Sequence, residues 1–173
     1  MALEQPQYSV EKIVDGVEYR IYDSYFVAQC DLREISDLNV ASNAGFRQLF
    51  NYISGENAES QKVSMTVPVQ QIPTDTGWLV SFVVPKSFYK TGAPQPNNKG
   101  VKIVEVPSGR VAAIRYRGFW NSDAFENQSG LLLSKLAQQG ATPNGPVFSA
   151  VYNPPLTPPF LRRNEVLVSL KDS

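Results

Sequence analysis

The residues that could carry chemistry in this chain are few, because its 173 residues include no histidine and a single cysteine, Cys30. Imidazole is the usual general base and the commonest metal ligand, so histidine-dependent triads and histidine-ligated zinc sites are excluded. One thiol also excludes a thiolate metal cluster and an intramolecular disulfide, which favours a reducing compartment. No Gly-rich phosphate loop of either usual spacing is present. We therefore expect no catalytic residue and no side-chain metal site.

A charged group near the end of the chain, residues 162–165 (RRNE), leaves three interpretations open. An ion pair could anchor the last strand, or the planar arginine guanidinium could hold ligand carboxylates. Glu165 could instead face a ligand cleft. Strand alternation places Glu165 on the same face as Leu167 and Ser169, but it does not say which face of the sheet lines a pocket.

The elements that must position these residues follow one order in each half of the chain: two strands joined by a turn, then a helix and two further strands. The expected strands cover residues 19–32 and 101–116, with turns near 23–24 and 107–109, then residues 63–72, 78–84, 147–152 and 165–170. Neither half alone has enough strands and helix to bury its apolar faces, so the two halves should form one fold together. We predict an α+β domain over residues 1–173 with two βαββ pseudo-repeats, about 8–85 and 101–171.

The two expected helices are centred on residues 46–53 and 131–137, and the glycines Gly55 and Gly140 end them. Asp123 and Glu126 resemble a capping box at the start of the second helix. In the first helix the apolar side chains cover an arc of about 160°, wider than the ~100° stripe that packing on one sheet requires. Phe46 and Phe50 lie at the edge of this arc, where they are either core residues or an aromatic wall for a flat apolar ligand.

Several stretches, taken together and in order, make the chain similar to the SOUL heme-binding protein family. They are residues 19–22 (YRIY), 51–57 (NYISGEN), 62–69 (KVSMTVPV), 83–85 (VVP), the 94–96 loop, 116–118 (YRG), 152–155 (YNPP) and 162–166 (RRNEV). The likeness covers nearly the whole chain. It implies that the two repeats form a curved, barrel-like antiparallel sheet with two main helices.

The resemblance also implies a ligand, heme or another tetrapyrrole, bound without a covalent link in an apolar surface cleft. That cleft would lie between the first helix and the loop before the last strand. The residues expected to contact the ligand are Asn43, Phe46, Arg47 and Phe50 on the helix and Leu156 and Phe160 on the loop.

The prolines of this loop, Pro154, Pro155, Pro158 and Pro159, restrict its backbone and would hold Leu156 and Phe160 against a porphyrin face. The alternative interpretation is that these prolines only prevent an edge strand from pairing with another chain.

Some relatives use histidine as an iron ligand, which this chain lacks, so tyrosine, cysteine, methionine or lysine would have to serve. Cys30 shares strand parity with apolar residues, and Met65 alternates with valines, so both are expected in the core. Tyr52 is the most plausible oxygen donor, although a helix tyrosine of this kind usually keeps its hydroxyl at the rim. We therefore expect no strong bond from a side chain to iron.

Overall charge gives no reason to expect nucleic acid as a partner, because 16 basic and 16 acidic side chains cancel. The first residues lack a basic region and an apolar region of the kind that a secretion signal needs. No apolar run approaches the roughly 20 residues that cross a bilayer. The expectation is a soluble cytoplasmic protein without a membrane span, a monomer or weak homo-oligomer, with a small tetrapyrrole as its partner.

Three functions remain open at this point. The first is non-catalytic binding of heme or a related tetrapyrrole, as carrier, buffer or sensor. The second is an effector-binding module for amphipathic aromatic cations, since related ligand-sensing domains of similar fold use a buried glutamate and Glu165 could take that role. The third is an enzyme acting on a tetrapyrrole-like small molecule through Glu165 and a tyrosine.

Overall fold

A nine-stranded antiparallel sheet forms the frame of the molecule, and two long helices cover one of its faces. The computed structural model describes residues 3–154 and 156–172. The strands are β1 (Tyr8–Val14), β2 (Val17–Tyr22), β3 (Tyr25–Arg33), β4 (Val69–Pro73), β5 (Gly77–Val83), β6 (Val101–Val106), β7 (Gly109–Tyr116), β8 (Phe148–Val151) and β9 (Asn164–Ser169). The helices are α1 (Leu38–Ile53) and α2 (Ser122–Gln138).

The strand order across the sheet is β1-β2-β7-β9-β8-β4-β5-β3-β6, with every neighbouring pair antiparallel. The sheet curls like half a barrel, which confirms the predicted α+β fold with a curved antiparallel sheet and two main helices. The two halves of the chain are interleaved in the sheet, because β2 pairs with β7, β3 with β6 and β4 with β8. The pseudo-repeat relationship of residues 8–85 and 101–171 stays a prediction, since it concerns how the halves superpose.

The two helices pack on the same face of the sheet, α1 over β3 and β5 and α2 over β7 and β9. Val166 and Val168 of β9 belong to the apolar core under α2, whereas Leu167 belongs to a separate core on the opposite face. Alternation along one strand therefore serves two cores, as expected for a sheet that is covered on both sides. Among the described residues, neither helix has the length and apolar content needed to cross a bilayer.

Local signals explain where α1 begins, ends and packs. The Val40 N–H donates to the Asp37 carboxylate (2.9 Å), which is an N-cap, and Gly55 follows the helix with φ 120°. Within the helix, a Cβ added at Gly45 would lie 2.6 Å from the Cβ of Val80. Glycine at this position therefore lets α1 approach β5 more closely than any other residue would.

Three sequence-based expectations about the elements are wrong in detail. Strand β1 was not expected; it is an edge strand whose mostly exposed side chains give little burial pattern. Strand β4 begins at Val69 rather than at residue 63, so Met65 lies outside a strand and is 41% exposed instead of buried. The N-cap of α2 is Asn121, whose side-chain oxygen accepts from the Ala124 N–H at 2.8 Å, and not Asp123.

Candidate ligand-binding site

The outer face of α1 carries two exposed phenylalanines that lie nearly parallel. The ring centroids of Phe46 and Phe50 are 6.1 Å apart with 14° between the planes, and the side chains are 39% and 46% exposed. Phe46 also contacts the buried ring of Phe82 edge-on, at 5.3 Å. The pair is thus supported by the core below and open to solvent above, so it forms a flat apolar surface on which a planar ligand could stack.

Asn43 and Arg47 lie on the same side of α1 as the phenylalanines, because residues three and four positions apart are neighbours on a helix. Both side chains are exposed. The Arg47 side chain makes no ion pair or hydrogen bond with any other residue in ranges 3–154 and 156–172. It is therefore available to an acidic group of a ligand lying on the aromatic surface.

The loop between β8 and β9 is held at its base and exposed at its apolar side chains. The Gly118 N–H donates to the Pro159 carbonyl (2.9 Å), and the Arg162 Nε donates to the Thr157 carbonyl (2.8 Å). Leu156 is 96% exposed and Phe160 67% exposed. Pro155, one of the four prolines expected to stiffen this loop, lies outside the described residues.

The register of the sheet relates this loop to α1. Phe82, which supports Phe46, pairs with Val69 of β4, and Val69 pairs with Val151 at the end of β8. Two steps across a sheet are about 10 Å, so the loop leaves the sheet about that far from the strand under Phe46. Phe160 makes no ring contact with Phe46 within the described part of the chain, so the two aromatic side chains do not pack on each other.

Glu165 is completely buried and is surrounded by arginine. Its Oε1 accepts from Arg20 Nη1 (2.8 Å) and from the Tyr152 hydroxyl (3.1 Å). Its Oε2 accepts from Arg20 Nη2 (2.8 Å) and Arg163 Nε (3.0 Å), with Arg115 Nε 3.2 Å away. Of the three interpretations of the charged group, the structure shows the ion pair that anchors the last strand.

The electrostatics of this group follow from its burial and its partners. Burial by itself would raise the pKa of Glu165, but the hydrogen bonds and charge of Arg20, followed by those of Arg163, hold that pKa below its usual value. Burial raises the pKa of Tyr152, and the nearby Glu165 charge adds to this effect. The carboxylate is therefore permanently ionised near neutral pH, with both oxygens occupied, and it is not placed to transfer protons.

Arg20 is the main partner of Glu165, and sequence reasoning did not identify it. It lies on β2, where it is completely buried, and it also binds Glu18 and the Tyr22 hydroxyl. One signal was present: Arg20 stands between Tyr19 and Tyr22 in a strand whose other residues, apart from Glu18, are apolar or aromatic, and a buried charge needs a partner.

The candidate iron ligands are placed as follows. Cys30 is buried as expected, and burial, followed by the charge of Asp31, raises the pKa of its thiol to about 11. Tyr52 is also buried, and its hydroxyl donates to the Pro94 carbonyl at 2.6 Å, so the expectation of a hydroxyl at the cleft rim is wrong. Burial raises the pKa of Tyr52 to about 12. Neither group is available to a ligand on the surface.

Comparison with known proteins adds independent information about the whole chain. The sequence profile of the SOUL heme-binding protein family matches residues 3–169. Heme-binding protein 1 of Mus musculus is 30% identical over 143 residues, which cover 77% of this chain and 74% of the mouse protein. Heme-binding protein 2 of Mus musculus is 26% identical over 186 aligned positions, covering 99% of this chain and 88% of that protein.

Solved structures with much lower sequence identity share the fold. The C-terminal domain of EcmrR superposes with a TM-score of 0.66 at 10% identity, covering 96% of this chain and 99% of that domain. Likeness at this level of identity concerns the fold alone.

Proposed function

This chain belongs to the SOUL heme-binding protein family, and from that premise we propose that it binds heme or a related tetrapyrrole on the outer face of α1. The binding is non-catalytic, and the protein acts as a carrier, buffer or sensor of its ligand. The observation that carries the proposal is the exposed parallel pair Phe46 and Phe50. A soluble domain rarely leaves two adjacent aromatic rings open to water unless something covers them.

The residues present on this surface fit a tetrapyrrole. A porphyrin is flat, apolar across its faces and acidic at one edge, and the site offers stacked rings with the unpartnered Arg47 beside them. Asn43 adds a polar group on the same side of the helix. Leu156 and Phe160 supply exposed apolar side chains for the opposite face of the ligand. Burial of apolar area at about 25 cal/mol per Å² suffices for micromolar affinity without a bond to iron.

The iron of heme would supply redox and ligand-binding chemistry, and we propose that no side chain of this protein coordinates it strongly. Histidine is absent, Cys30 is buried, and the Tyr52 hydroxyl is bound to a carbonyl. Met65 is the exception to the sequence-based argument, since it is 41% exposed and not buried in the core. Bound hemin should therefore give a spectrum without the features of a low-spin six-coordinate iron, and the spectrum should be the same in Met65→Leu. A low-spin spectrum that this substitution abolishes would make Met65 the ligand.

The test of the site is Phe50→Ala. It should weaken binding of protoporphyrin by about 1–3 kcal/mol, the contribution of one apolar side chain that becomes buried. Leu133→Ala is the matched control, because Leu133 is a similarly exposed apolar residue (42%) on the other helix. Affinity and the urea midpoint are measured on the same variants. If Phe50→Ala lowers the midpoint and leaves the affinity unchanged, the ring serves packing and the proposed site is wrong.

Arg47 is proposed to meet the propionates of the ligand. Arg47→Glu should weaken binding of the dicarboxylic porphyrin more than binding of its dimethyl ester, because only the acid gains from the cation. Lys102→Glu, an equal charge change at an exposed position on β6, is the control. Equal loss of affinity for acid and ester would remove Arg47 from this role.

Glu165 does not support the effector-cation or enzyme alternatives. Its oxygens are bound by Arg20 and Arg163, so a cationic ligand would have to displace an arginine that is already ideally placed. No observation favours either alternative over tetrapyrrole binding.

A further inference from the structure

The face of the sheet opposite the helices carries a cavity of about 420 Å³. Its wall includes Tyr22, Tyr25, Phe148, Tyr152 and Leu167. Leu167 alternates with Val166 and Val168, which pack under α2, so the cavity and the helices lie on opposite sides of the sheet. The tetrapyrrole surface on α1 and this cavity are therefore two distinct places on the protein.

The charged residues in the sheet beneath the cavity are paired with one another and offer no free charge to a ligand. Glu165 shares the strand face of Leu167, but its carboxylate is saturated by Arg20 and Arg163. Two tyrosines of this network line the cavity. The Tyr22 hydroxyl accepts a hydrogen bond from Arg20, and the Tyr152 hydroxyl donates one to Glu165.

The described residues of the rim also offer no buried charge. Among the residues that the structure describes, the charged ones that line the cavity are Arg110 and Asp172, which have opposite signs. Arg110 is in addition paired with Glu11, with Nη2 and Oε1 2.8 Å apart. Asp172 is exposed to solvent, where its charge is screened, so the described lining residues give a ligand no buried, unpaired charge.

Two hydroxyl groups in the wall have a proton to donate and no acceptor. Tyr22 accepts a hydrogen bond from Arg20 (2.9 Å) and Tyr25 accepts one from Gln70 Nε2 (3.1 Å). Neither hydroxyl donates to another group in the described part of the protein. Both side chains are less than one-tenth exposed, and burial raises the pKa of each, so both stay protonated. A buried donor without an acceptor is unfavourable, and a ligand oxygen would satisfy it.

We propose that this cavity is a second binding site, for an uncharged aromatic small molecule that carries a carbonyl or ether oxygen. The aromatic and aliphatic wall supplies the apolar contact, and the Tyr22 and Tyr25 hydroxyls supply hydrogen bonds that fix the orientation of the ligand. The volume falls within the range of small-molecule sites, which are mostly apolar with a few placed polar groups.

The test uses the uncharged naphthalene ketone Prodan, whose emission moves to the blue in an apolar site. We expect saturable, blue-shifted binding that Tyr25→Phe weakens about tenfold, because this variant removes a hydroxyl and keeps the ring. Phe50→Ala, on the opposite side of the sheet, should leave Prodan affinity unchanged. Conversely, Tyr25→Phe should leave protoporphyrin affinity unchanged, so failure of one site is distinguishable from failure of the other.

A second variant keeps the test decisive if Tyr25→Phe lowers the urea midpoint. Ser108→Trp enlarges an exposed turn residue that lines the cavity, where folding should tolerate the change, and it should also reduce Prodan binding. Prodan binding that responds to Phe50→Ala and to neither cavity variant would overturn the proposal. Displacement of Prodan by an equal concentration of the tetraphenylphosphonium cation would overturn the assignment to uncharged ligands.

Discussion

Arg20 holds Glu165, 145 residues further along the chain, through two 2.8 Å bonds, from Nη1 to Oε1 and from Nη2 to Oε2. Both side chains are completely buried. The two residues lie on β2 and β9, with β7 between them in the sheet. The pair therefore reaches across β7 and connects an early strand of the chain to the last one. The bidentate geometry is what makes a buried ion pair tolerable, because each polar atom regains the partners it lost with water.

Removing one member of this pair should be strongly destabilising. Glu165→Gln is expected to lower the free energy of unfolding by about 3–5 kcal/mol, because it removes the buried counter-ion of Arg20 and leaves only Glu18 beside that guanidinium. The double variant Arg20→Met with Glu165→Leu should lose less free energy of unfolding than the single variants Arg20→Met and Glu165→Leu lose together. The measurement is a double-mutant cycle of urea denaturation. Arg33→Met, which breaks the exposed pair with Asp31, is the control and should cost about 0–1 kcal/mol. If the losses of the two single variants simply add in the double variant, Arg20 and Glu165 are not energetically coupled.

Stability should fall in acid through the same carboxylate. The pKa of Glu165 is lowered in the folded state, so its contribution is fully present above the ordinary glutamate pKa of about 4.3 and is lost as the pH falls through the lowered folded value. The urea midpoints of wild-type protein and Glu165→Gln should therefore differ most at pH 7 and converge towards pH 3. A difference that stays constant over this range would mean that Glu165 contributes only through packing.

Cys30 should be inert in the native protein. Its side chain is 1% exposed and burial raises its pKa to about 11, so little thiolate is present at pH 8 and little of it is accessible. We expect iodoacetamide to modify the thiol rapidly in concentrated urea and very slowly in buffer, as measured by mass spectrometry. Because the folded pKa is raised, the stability linked to this thiol is present below pH ~8.5 and declines as the pH rises towards 11. Rapid labelling of the native protein would place Cys30 at an exposed or opening segment.

Two helix glycines should respond in opposite directions to alanine. At Gly45 the new Cβ would lie 2.6 Å from the Cβ of Val80, so Gly45→Ala should cost about 1–3 kcal/mol through overpacking. At Gly130 on α2 nothing lies within 4 Å of the new Cβ, so Gly130→Ala should stabilise by about 0.4–1 kcal/mol. Thermal or urea unfolding measures both. Because Gly45 sets the distance of α1 from β5, its substitution should also weaken porphyrin binding at Phe46.

Much of the secondary structure could be predicted from local patterns, because these patterns depend on neighbours along the chain. The turn near residues 23–24, the end of α1 before Gly55 and the burial of Cys30 each follow from strand alternation or helical spacing. Local patterns did not show that the strands on either side of this turn, β2 and β3, pair with other strands and not with each other. Prediction from strand alternation failed where the segment is not a strand. Met65 was placed in the core by alternation, but its segment precedes β4 and does not alternate.

The sequence by itself also determined what is chemically impossible, since the absence of histidine holds for any fold. Only the tertiary structure decided which charges meet and which faces stay open. Alternation put Glu165 beside Leu167 without identifying the face, and only the strand order β2-β7-β9 brings Arg20 to it. Phe50 was either core or exposed until the packing of α1 on β5 was known. Contacts between strands far apart in sequence depend on how the whole sheet pairs, and no window of neighbouring residues contains that information.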